Sequence, residues 1–240
     1  MGTLQGFFLL RHENLPQAML GSFRRSARLL IDRAFWRNVD DVQLLGGEAN
    51  WWVCTRLLRP GSFILSGGAG KDVSFEIDLA RLGCNVALFD PSPTGKTTME
   101  RAINQHPGLR FFSDGLAARD TIVRFAPPAI SDEGSFRVAT GESPATVEFQ
   151  CVSPKKALEM AGFADCALCK LDIEGFEYEV LTALLADGFR PAQIAVEFHH
   201  FMPDITWRQT FDSVCELQRA GYRIVRKRQT DYLFIREEFL

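Results

Sequence analysis

A glycine-rich segment has the residue types and the order of a nucleotide-binding turn. It reads Ser66-Gly67-Gly68-Ala69-Gly70-Lys71-Asp72 and links a short apolar run to a stretch with helical periodicity. Glycine suits such a turn because its backbone adopts positive φ angles and because a side chain would block the approach of a ligand. The helix that follows would point free backbone N–H groups at that ligand. The segment therefore predicts a binding site for the polar part of a nucleotide-like molecule.

An acidic residue follows at a position where a ribose is commonly bound. Asp90 ends the next predicted strand, twenty residues after Gly70, and an acid there can accept hydrogen bonds from both ribose hydroxyls. The segment Gly95-Lys96-Thr97 resembles the end of a phosphate-binding loop, but the first glycine of that pattern would fall on Asp90, whose carboxylate would repel phosphate. The order of these features argues against a nucleoside triphosphate.

Two acidic clusters follow later strands. Asp172 and Glu174 come after one predicted strand, and Glu197 and His199 come at the end of the next strand along the chain. Ligands of open α/β sheets bind at the carboxyl ends of the strands, so we expect both clusters to face the glycine-rich segment. Neighbouring residues of a strand point to opposite faces, so only one of His199 and His200 should face the site. We favour His199, which shares a face with Glu197.

These side chains suggest acid–base chemistry. Asp172, Glu197 and His199 are candidate catalytic residues, because a histidine can accept a proton near neutral pH and carboxylates can orient a substrate. A purely structural role for the histidine is the alternative. Asp172, Glu174, Glu197 and His199 would also suit a divalent cation, and the sequence leaves metal dependence open.

The elements that must position these residues alternate along the chain. From residue 62 onward, short apolar runs alternate with segments of helical periodicity, which predicts an α/β fold with a mostly parallel, doubly wound, Rossmann-like sheet. Two strands near the C-terminal end meet at Gln229 and Thr230 and should add an antiparallel strand. The predicted strands are residues 63–65, 86–89, 109–112, 167–173, 194–198, 222–227 and 232–235, and the predicted helices are 73–82, 96–105, 154–160, 178–187 and 207–220.

The N-terminal part and one internal segment differ from this pattern. Residues 1–60 lack strand-like alternation, and helical spacing over 17–36 and 48–58 predicts a helical extension or lid. Residues 61–240 then form the Rossmann-like domain. Within it, period-2 patterns at 121–125 and 146–152 surround a polar loop and predict an inserted flap at about 119–152.

The composition argues against several classes of protein. With 46% hydrophobic residues, 24% charged residues and a net charge of −3, the chain is of ordinary globular composition and lacks the clustered positive charge that nucleic-acid binding needs. Its apolar runs are shorter than the roughly 20 residues of a membrane span, and no signal-peptide pattern opens the sequence, so we expect a cytoplasmic protein. Cys166 and Cys169 have a metal-like spacing, but no second pair or nearby histidine completes a zinc set, and we expect core thiols.

The sequence resembles the FkbM family of methyltransferases. The matching pieces extend over roughly residues 47–237 and are Gly68-Ala69-Gly70 with residues 72–76, Phe89-Asp90-Pro91, Lys170-Leu171-Asp172-Ile173-Glu174-Gly175 with Glu177, Val180 and Leu181, and Ala195-Val196-Glu197-Phe198. The resemblance implies a class I methyltransferase fold that binds S-adenosylmethionine. It also implies methyl transfer to an oxygen of a carbohydrate or natural-product small molecule.

The resemblance further implies which residues contact the cofactor. These are Ser66, Gly67, Gly68, Gly70, Asp72, Ser74, Phe75, Asp90, Pro91, Asp114, Gly115 and Leu116. Two features depart from the pattern of methyltransferases. Ser66 stands where an Asp or Glu usually binds the amino end of the cofactor. Residues 115–118 are mostly apolar where a polar loop usually meets the adenine, which leaves Asp114 or backbone groups for that contact.

Several alternatives share these features. A methyltransferase of the same fold could act on nitrogen or on a protein side chain, which the flap would then contact. A scaffold with a lapsed cofactor site would explain Ser66, although Asp90 and the acidic clusters are intact. A dinucleotide-dependent oxidoreductase would need a second domain for which the chain has no length. The sequence leaves open whether the protein is a monomer or a homodimer.

Overall fold

The apolar runs form strands and the segments of helical periodicity form helices in the computed structural model, which describes residues 37–126, 136–138 and 146–240. The strands are β1 (Val42–Leu45), β2 (Trp51–Cys54), β3 (Phe63–Gly67), β4 (Asn85–Phe89), β5 (Leu109–Phe112), β6 (Gly115–Leu116), β7 (Thr121–Ala126), β8 (Arg137–Val138), β9 (Val147–Val152), β10 (Leu168–Leu171), β11 (Gln193–Glu197), β12 (Tyr222–Arg228) and β13 (Asp231–Arg236). The helices are α1 (Ser74–Arg81), α2 (Pro93–Glu100), α3 (Pro154–Ala161), α4 (Glu177–Ala186) and α5 (Trp207–Arg219), and short 3-10 turns lie at Thr55–Leu57, Ala102–Asn104 and Glu237–Phe239.

Seven strands form the central sheet in the order β12-β13-β11-β10-β3-β4-β5. The five strands from β11 to β5 are parallel. β13 runs antiparallel to β11, and β12 runs antiparallel to β13. The predicted α/β fold with an antiparallel closing strand is confirmed. Because the strand order reverses between β3 and β10, the carboxyl ends of these two strands frame the crevice in which a ligand is expected.

Burial explains the composition of the central strands. β10 is buried along its whole length, as expected for a parallel strand covered on both faces. Its one charged residue, Lys170, is 3% exposed and must find polar partners inside the protein. Cys166 and Cys169 are free, buried thiols, and burial raises the pKa of Cys169 to about 12, in agreement with the predicted core role.

Serine and threonine caps fix where α2, α3 and α5 begin. Ser92 Oγ accepts a hydrogen bond from Gly95 N, so α2 begins at Pro93, earlier than predicted. Ser153 caps α3 in the same way through Lys156 N. Thr206 forms a capping box with the third residue of α5. Each cap satisfies backbone N–H groups that have no partner inside the helix.

The segment before the central sheet is a hairpin. β1 and β2 pair antiparallel, so the predicted helix over residues 48–58 is wrong. The backbone of Cys54 donates to Gln193 Oε1 at 2.9 Å and accepts from Gln193 Nε2 at 3.1 Å. This tertiary contact and the bulky Trp51-Trp52-Val53 run favour an extended chain. The other predicted N-terminal helix, over residues 17–36, lies outside the described residues.

The segment predicted as a flap forms most of a second sheet. Its strand order is β6-β9-β7-β8, and β7 pairs antiparallel with β9, with Phe125 opposite Val147. The strands therefore lie where the period-2 patterns placed them. Phe125 packs on the rings of Phe149 and Phe176, with centroids 5.3 and 5.7 Å apart. Across the described ranges, no helix is long and apolar enough to cross a membrane.

Candidate active site

A cavity of about 270 Å³ lies at the carboxyl ends of β3, β4 and β10, at the point where the strand order reverses. The glycine-rich turn forms one wall and the acids Asp90 and Asp172 lie on either side of it. The aromatic side chains of the second sheet close the opposite wall. The lining includes seven of the predicted cofactor contacts, Gly68, Gly70, Asp72, Asp90, Pro91, Gly115 and Leu116.

Gly68 is required by the close approach of two strands. Its φ angle is +88°, and a Cβ atom at this position would lie 1.9 Å from the carbonyl oxygen of Asp172. Gly70 also has a positive φ, +51°, but a Cβ there would meet nothing within 4 Å. The turn thus brings bare backbone against the end of β10 and leaves space in front of it. This is the shape that a ligand bound by the backbone needs.

Asp90 holds the turn as well as lining the cavity. Its Oδ2 accepts hydrogen bonds from Ala69 N at 2.8 Å and Gly70 N at 3.1 Å, and its Oδ1 accepts from Ser92 N at 2.7 Å. A Cβ at Gly95 would lie 2.5 Å from the Asp90 carboxylate, which explains the glycine of the segment that resembles a phosphate-binding loop. A carboxylate offers about four acceptor positions, and three are taken, so Asp90 can still accept one hydrogen bond from a ligand.

Asp72 and Ser74 attach the hairpin to the turn. Asp72 Oδ2 accepts from Ala49 N at 2.9 Å, and Ser74 Oγ accepts from Gly47 N at 2.5 Å. Partial burial acts to raise the pKa of Asp72, but the hydrogen bonds from Ala49 and Ser74 outweigh it and lower the pKa. The hairpin thereby brings Ala49 and Trp51 into the cavity wall. Neither residue was predicted to line a site, because the spacing of apolar residues indicated a helix over residues 48–58.

Five of the predicted cofactor contacts lie outside the cavity lining. Ser66 and Phe75 are buried in the protein interior. Gly67 is enclosed, because a Cβ there would lie 2.8 Å from Leu116 and 2.9 Å from Ile173. Ser74 is engaged with the hairpin, and Asp114 is half-buried beside the cavity. The lining leaves out Ser66, Gly67, Ser74, Phe75 and Asp114, whose direct contact with a cofactor stays a prediction.

Glu76 and Lys170 lie close together on the cavity floor, and the sequence alone did not predict this pair. Both side chains line the cavity and are almost fully buried. Ser66 Oγ donates to Glu76 Oε1 at 2.7 Å, and Lys170 Nζ lies 3.9 Å from the same oxygen. Lys170 donates to the carbonyls of Gly67 and Gly68. The signal was present, since Glu76 is a charged residue on the buried face of α1.

The acids and the histidine from β10 and β11 come together. Ligand atoms of Asp172, Glu197 and His199 lie within 4.8 Å of one another. His199 Nε2 is 3.7 Å from Asp172 Oδ1 and 3.6 Å from Glu174 Oε2. Asp172 and Glu174 line the cavity, while His199, 3% exposed, lies behind them. Glu197 Oε1 accepts from Thr230 Oγ1 at 3.1 Å.

Glu177 supports this cluster from below. It is fully buried, and its Oε1 accepts from Ile173 N at 2.8 Å and lies 2.8 Å from His199 Nδ1. The contact between Glu177 and His199 is an ion pair, because the angles at Nδ1 are not those of a hydrogen bond. Glu177 also accepts from Gly175 N, which holds Glu174 at a φ angle of +53°. Glu177 thus holds both the histidine and the loop that follows β10.

A family profile described as "Methyltransferase FkbM domain" matches residues 60–224. The chain belongs to the FkbM methyltransferase family. The match includes the glycine-rich turn, both acids of the cavity wall and the cluster around His199. Ala49 and Trp51, which complete the cavity, precede it.

Known proteins offer only distant similarity to this FkbM-family chain. No curated protein sequence matches it significantly. Among solved structures, fibrillarin in a complex with Nop5p is 15% identical over 74% of this chain and 72% of that chain, with a TM-score of 0.44. A Methanococcus jannaschii fibrillarin, a pre-rRNA processing protein, is 12% identical over 84% and 85%, with a TM-score of 0.42. A Burkholderia thailandensis 1,6-didemethyltoxoflavin N1-methyltransferase is 12% identical over 95% and 91%, with a TM-score of 0.36.

The electrostatics of the FkbM-family site bear on the role expected for His199. Burial alone would lower the pKa of this imidazole. The contact with Glu177 and the charges of Asp172 and Glu174 outweigh burial and raise the pKa to about 9. An imidazole with this pKa is protonated at neutral pH and has no lone pair with which to accept a proton. The raised pKa favours a cationic histidine that orients carboxylates, and the expected role of His199 as a base stays a prediction.

Glu197 differs from the other acids of the cluster. Burial, with the charge of Asp172 added to it, raises the pKa of Glu197 to about 7. Its carboxyl group therefore changes protonation state near neutral pH. It lies behind Asp172 and does not line the cavity, so it can adjust the charge of the cluster without contacting a ligand there.

Proposed function

We propose that this protein transfers a methyl group from S-adenosylmethionine to an oxygen of a carbohydrate or another small molecule. The observation that carries the proposal is the position of Asp172. Its main chain packs against the glycine-rich turn, and its side chain lies in the cavity 3.7 Å from His199. The cofactor cradle and a group of proton-transferring side chains thus meet at one residue.

The cavity suits the three parts of S-adenosylmethionine. The exposed backbone at Gly68 and Gly70 would hold the amino-acid part, and Asp90 would accept a hydrogen bond from a ribose hydroxyl. Gly115 and Leu116, with the aromatic wall of the second sheet, provide the apolar surface that an adenine ring needs. When bound, the cofactor supplies a methyl group on a sulfonium. The neutral thioether that remains after transfer is a good leaving group.

The protein then has two tasks, to align the acceptor and to take its proton. Asp172 and Glu174 are the carboxylates in the cavity wall that could contact an acceptor hydroxyl. His199 lies 3.6–3.7 Å from both and fixes their orientation through its charge. Holding the acceptor oxygen near a proton-accepting carboxylate accounts for general-base catalysis and for much of the entropic advantage.

A second, larger cavity of about 990 Å³ is the place we propose for the acceptor. It shares Glu174 and Phe176 with the cofactor cavity, so the two spaces adjoin at the acidic cluster. Its lining combines apolar side chains, Val123 and Ile205 among them, with the polar groups Tyr178 and Gln209. Such a surface suits an extended scaffold with an apolar side and hydroxyl groups.

A divalent cation is a second candidate ligand for the cluster. The mutual distances of Asp172, Glu197 and His199 are within the span of ligands around one ion, and oxygen and imidazole donors suit several divalent metals. We propose to compare methyl transfer after treatment with a chelator and after the return of Mg²⁺ or Mn²⁺. Activity that a chelator leaves unchanged would exclude this candidate.

Isothermal titration with S-adenosylmethionine tests the cofactor. Asp90→Ala should weaken binding by about 10-fold to 100-fold, as expected for lost hydrogen bonds to a charged group. Asp212→Asn is the matched control, because this acid lies on α5 with its side chain 63% exposed. A wild-type protein that binds no S-adenosylmethionine would contradict the proposal.

Labelled cofactor tests the acceptor. Glycans, phenolic compounds, amines and peptides should be offered in parallel, and label should appear on a hydroxyl group of a small molecule. Transfer to amines or peptides would assign this site to nitrogen or protein methylation. Cofactor binding without transfer to any acceptor, in a protein whose Asp172→Asn variant behaves identically, would favour the scaffold alternative.

A further inference from the structure

The cavity floor beneath the glycine-rich turn has two carboxyl groups beside one ammonium group. Glu76 and Asp172 each lie 3.9 Å from the ammonium group of Lys170, so two carboxylates share one buried cation. Lys170 is held by shorter hydrogen bonds to the carbonyls of Gly67 and Gly68, at 3.2 and 2.6 Å. It therefore stands beyond hydrogen-bonding distance of either carboxylate.

Glu76 brings its carboxylate to the end of β3 from an unexpected direction. It is the third residue of α1, ten residues after Ser66 in the sequence. Its Oε1 lies 2.7 Å from Ser66 Oγ. A carboxyl group thus lies almost where an acidic side chain at position 66 would end, although the strand itself contributes only a hydroxyl group.

We propose that Glu76 binds the ammonium group at the amino-acid end of the cofactor, with Ser66 as the positioning residue that aims its carboxylate into the cavity. This inference rests on the proposed function. It also accounts for Ser66, which no longer needs to contact the cofactor and instead holds the group that does.

The surroundings strengthen such a contact. Trp51 lies over Lys170, with the ammonium 5.1 Å from the ring centroid, and covers the polar floor from the side of the hairpin. Burial raises the pKa of Glu76, while the charge of Lys170 opposes the change. A ligand ammonium placed beside Glu76 would favour the ionised carboxylate further. In a site with little water, this attraction is stronger than the same contact at the surface.

Two ligands that differ only in their amino-acid part provide the test. S-adenosylhomocysteine has the ammonium group, and 5′-methylthioadenosine keeps the adenosine and the sulfur without it. Glu76→Gln should weaken the binding of S-adenosylhomocysteine by about 10-fold to 100-fold. Its binding of 5′-methylthioadenosine should stay within about twofold of the wild type. Glu159→Gln, an exposed acid on α3 with its side chain 54% exposed, is the matched control.

The position of the charge can be tested by moving it. Ser66→Asp combined with Glu76→Gln returns a carboxylate to the end of β3 and should recover most of the lost affinity for S-adenosylhomocysteine. Ser66→Ala keeps Glu76 but removes its hydrogen bond, and should weaken the same ligand by about 3-fold to 10-fold. The circular dichroism spectrum of each variant should match that of the wild type.

The outcomes separate this inference from the proposed function. If Glu76→Gln affects both ligands equally, or neither, Glu76 does not recognise the ammonium group. If Glu76→Gln does not fold, the inference is judged on Ser66→Ala, where equal losses for both ligands would overturn it. A wild-type protein that binds neither ligand would instead contradict the cofactor assignment itself.

Discussion

The carbonyl oxygen of Asp172 occupies the space that a side chain at position 68 would need, since a Cβ there would lie 1.9 Å from it. The residue that we propose to contact the acceptor and the turn that we propose to hold the cofactor are therefore in direct backbone contact. A shift of one must move the other.

Gly68→Ala should consequently abolish cofactor binding and destabilise the fold. The positive φ angle alone costs about 1–3 kcal/mol for a residue with a side chain, and the contact with Asp172 adds to it. Gly70→Ala is the matched control, because its φ is also positive but a Cβ there meets nothing within 4 Å. Thermal unfolding should show a clearly larger loss for Gly68→Ala. Equal losses would mean that the approach of the two strands is unimportant.

His199 should make stability depend on pH in the alkaline range. Its pKa is about 9 in the folded protein against 6.5 in the unfolded chain. Its contribution is therefore fully present below pH 6.5 and is lost as the pH rises through 9. The difference amounts to on the order of 3 kcal/mol. Chemical unfolding of wild type and His199→Gln, with a chelator present, should show curves that converge toward pH 10. A constant separation would contradict the prediction.

Glu177 should control the pKa of His199. Glu177→Gln removes the charge that lies 2.8 Å from the imidazole, so the pKa of His199 should fall toward 6.5 while the side chain keeps its shape. An NMR titration of the four histidine ring signals measures this directly. Removing the exposed Glu179 of the same helix, which accepts from Ala118 N, should shift the His199 signal much less. An unchanged pKa in Glu177→Gln would mean that Asp172 and Glu174 suffice.

Gln193 should anchor the hairpin. Its side chain pairs with both backbone groups of Cys54, so Gln193→Leu leaves a buried N–H and C=O without partners. A loss of about 1–3 kcal/mol per unsatisfied group is expected in the free energy of unfolding. Gln43→Leu changes a glutamine of the same hairpin whose hydrogen bond is exposed and should cost much less. Matching losses would show that the pairing with Cys54 contributes nothing special.

The hydrogen bond from Gly47 to Ser74 should restrain the residues before β2. Ser74→Ala removes the hydrogen bond from Gly47 N, worth about 0.5–1.5 kcal/mol, without changing the backbone of α1. Amide hydrogen exchange at Gly47 should become faster in this variant, while exchange in β10 should not change. Exchange at Gly47 that stays as slow as in the wild type would mean that this hydrogen bond does not restrain the segment.

The sequence predicted the central sheet well because its signals are local. Buried parallel strands need apolar residues on both faces, and the glycines of the turn and Asp90 follow from the backbone geometry of a strand–turn–helix unit. The same reasoning failed at residues 48–58, where Trp51 and Cys54 are extended through contacts with β11. A contact between residues 139 positions apart leaves no local trace in the sequence.

The electrostatic roles of the site residues could not be predicted from the sequence either. The position of His199 beside Asp172 follows from the strand model, but its protonation depends on Glu177, which approaches from the following helix. Glu76 likewise enters from α1 rather than from the strand that ends at Gly67. Charges that converge from different elements can be recognised only once the packing of those elements is known.

The hairpin has a practical consequence for the choice of boundaries in a recombinant fragment of this protein. Ala49 and Trp51 line the cavity, yet the family match begins at residue 60. A recombinant fragment that begins at residue 60 would keep the turn and the acids of the cavity but would lose Trp51, whose ring lies over the ammonium group of Lys170. The shortest piece of this chain that can be expected to retain ligand with full affinity is therefore longer than the domain by which its relatives are recognised.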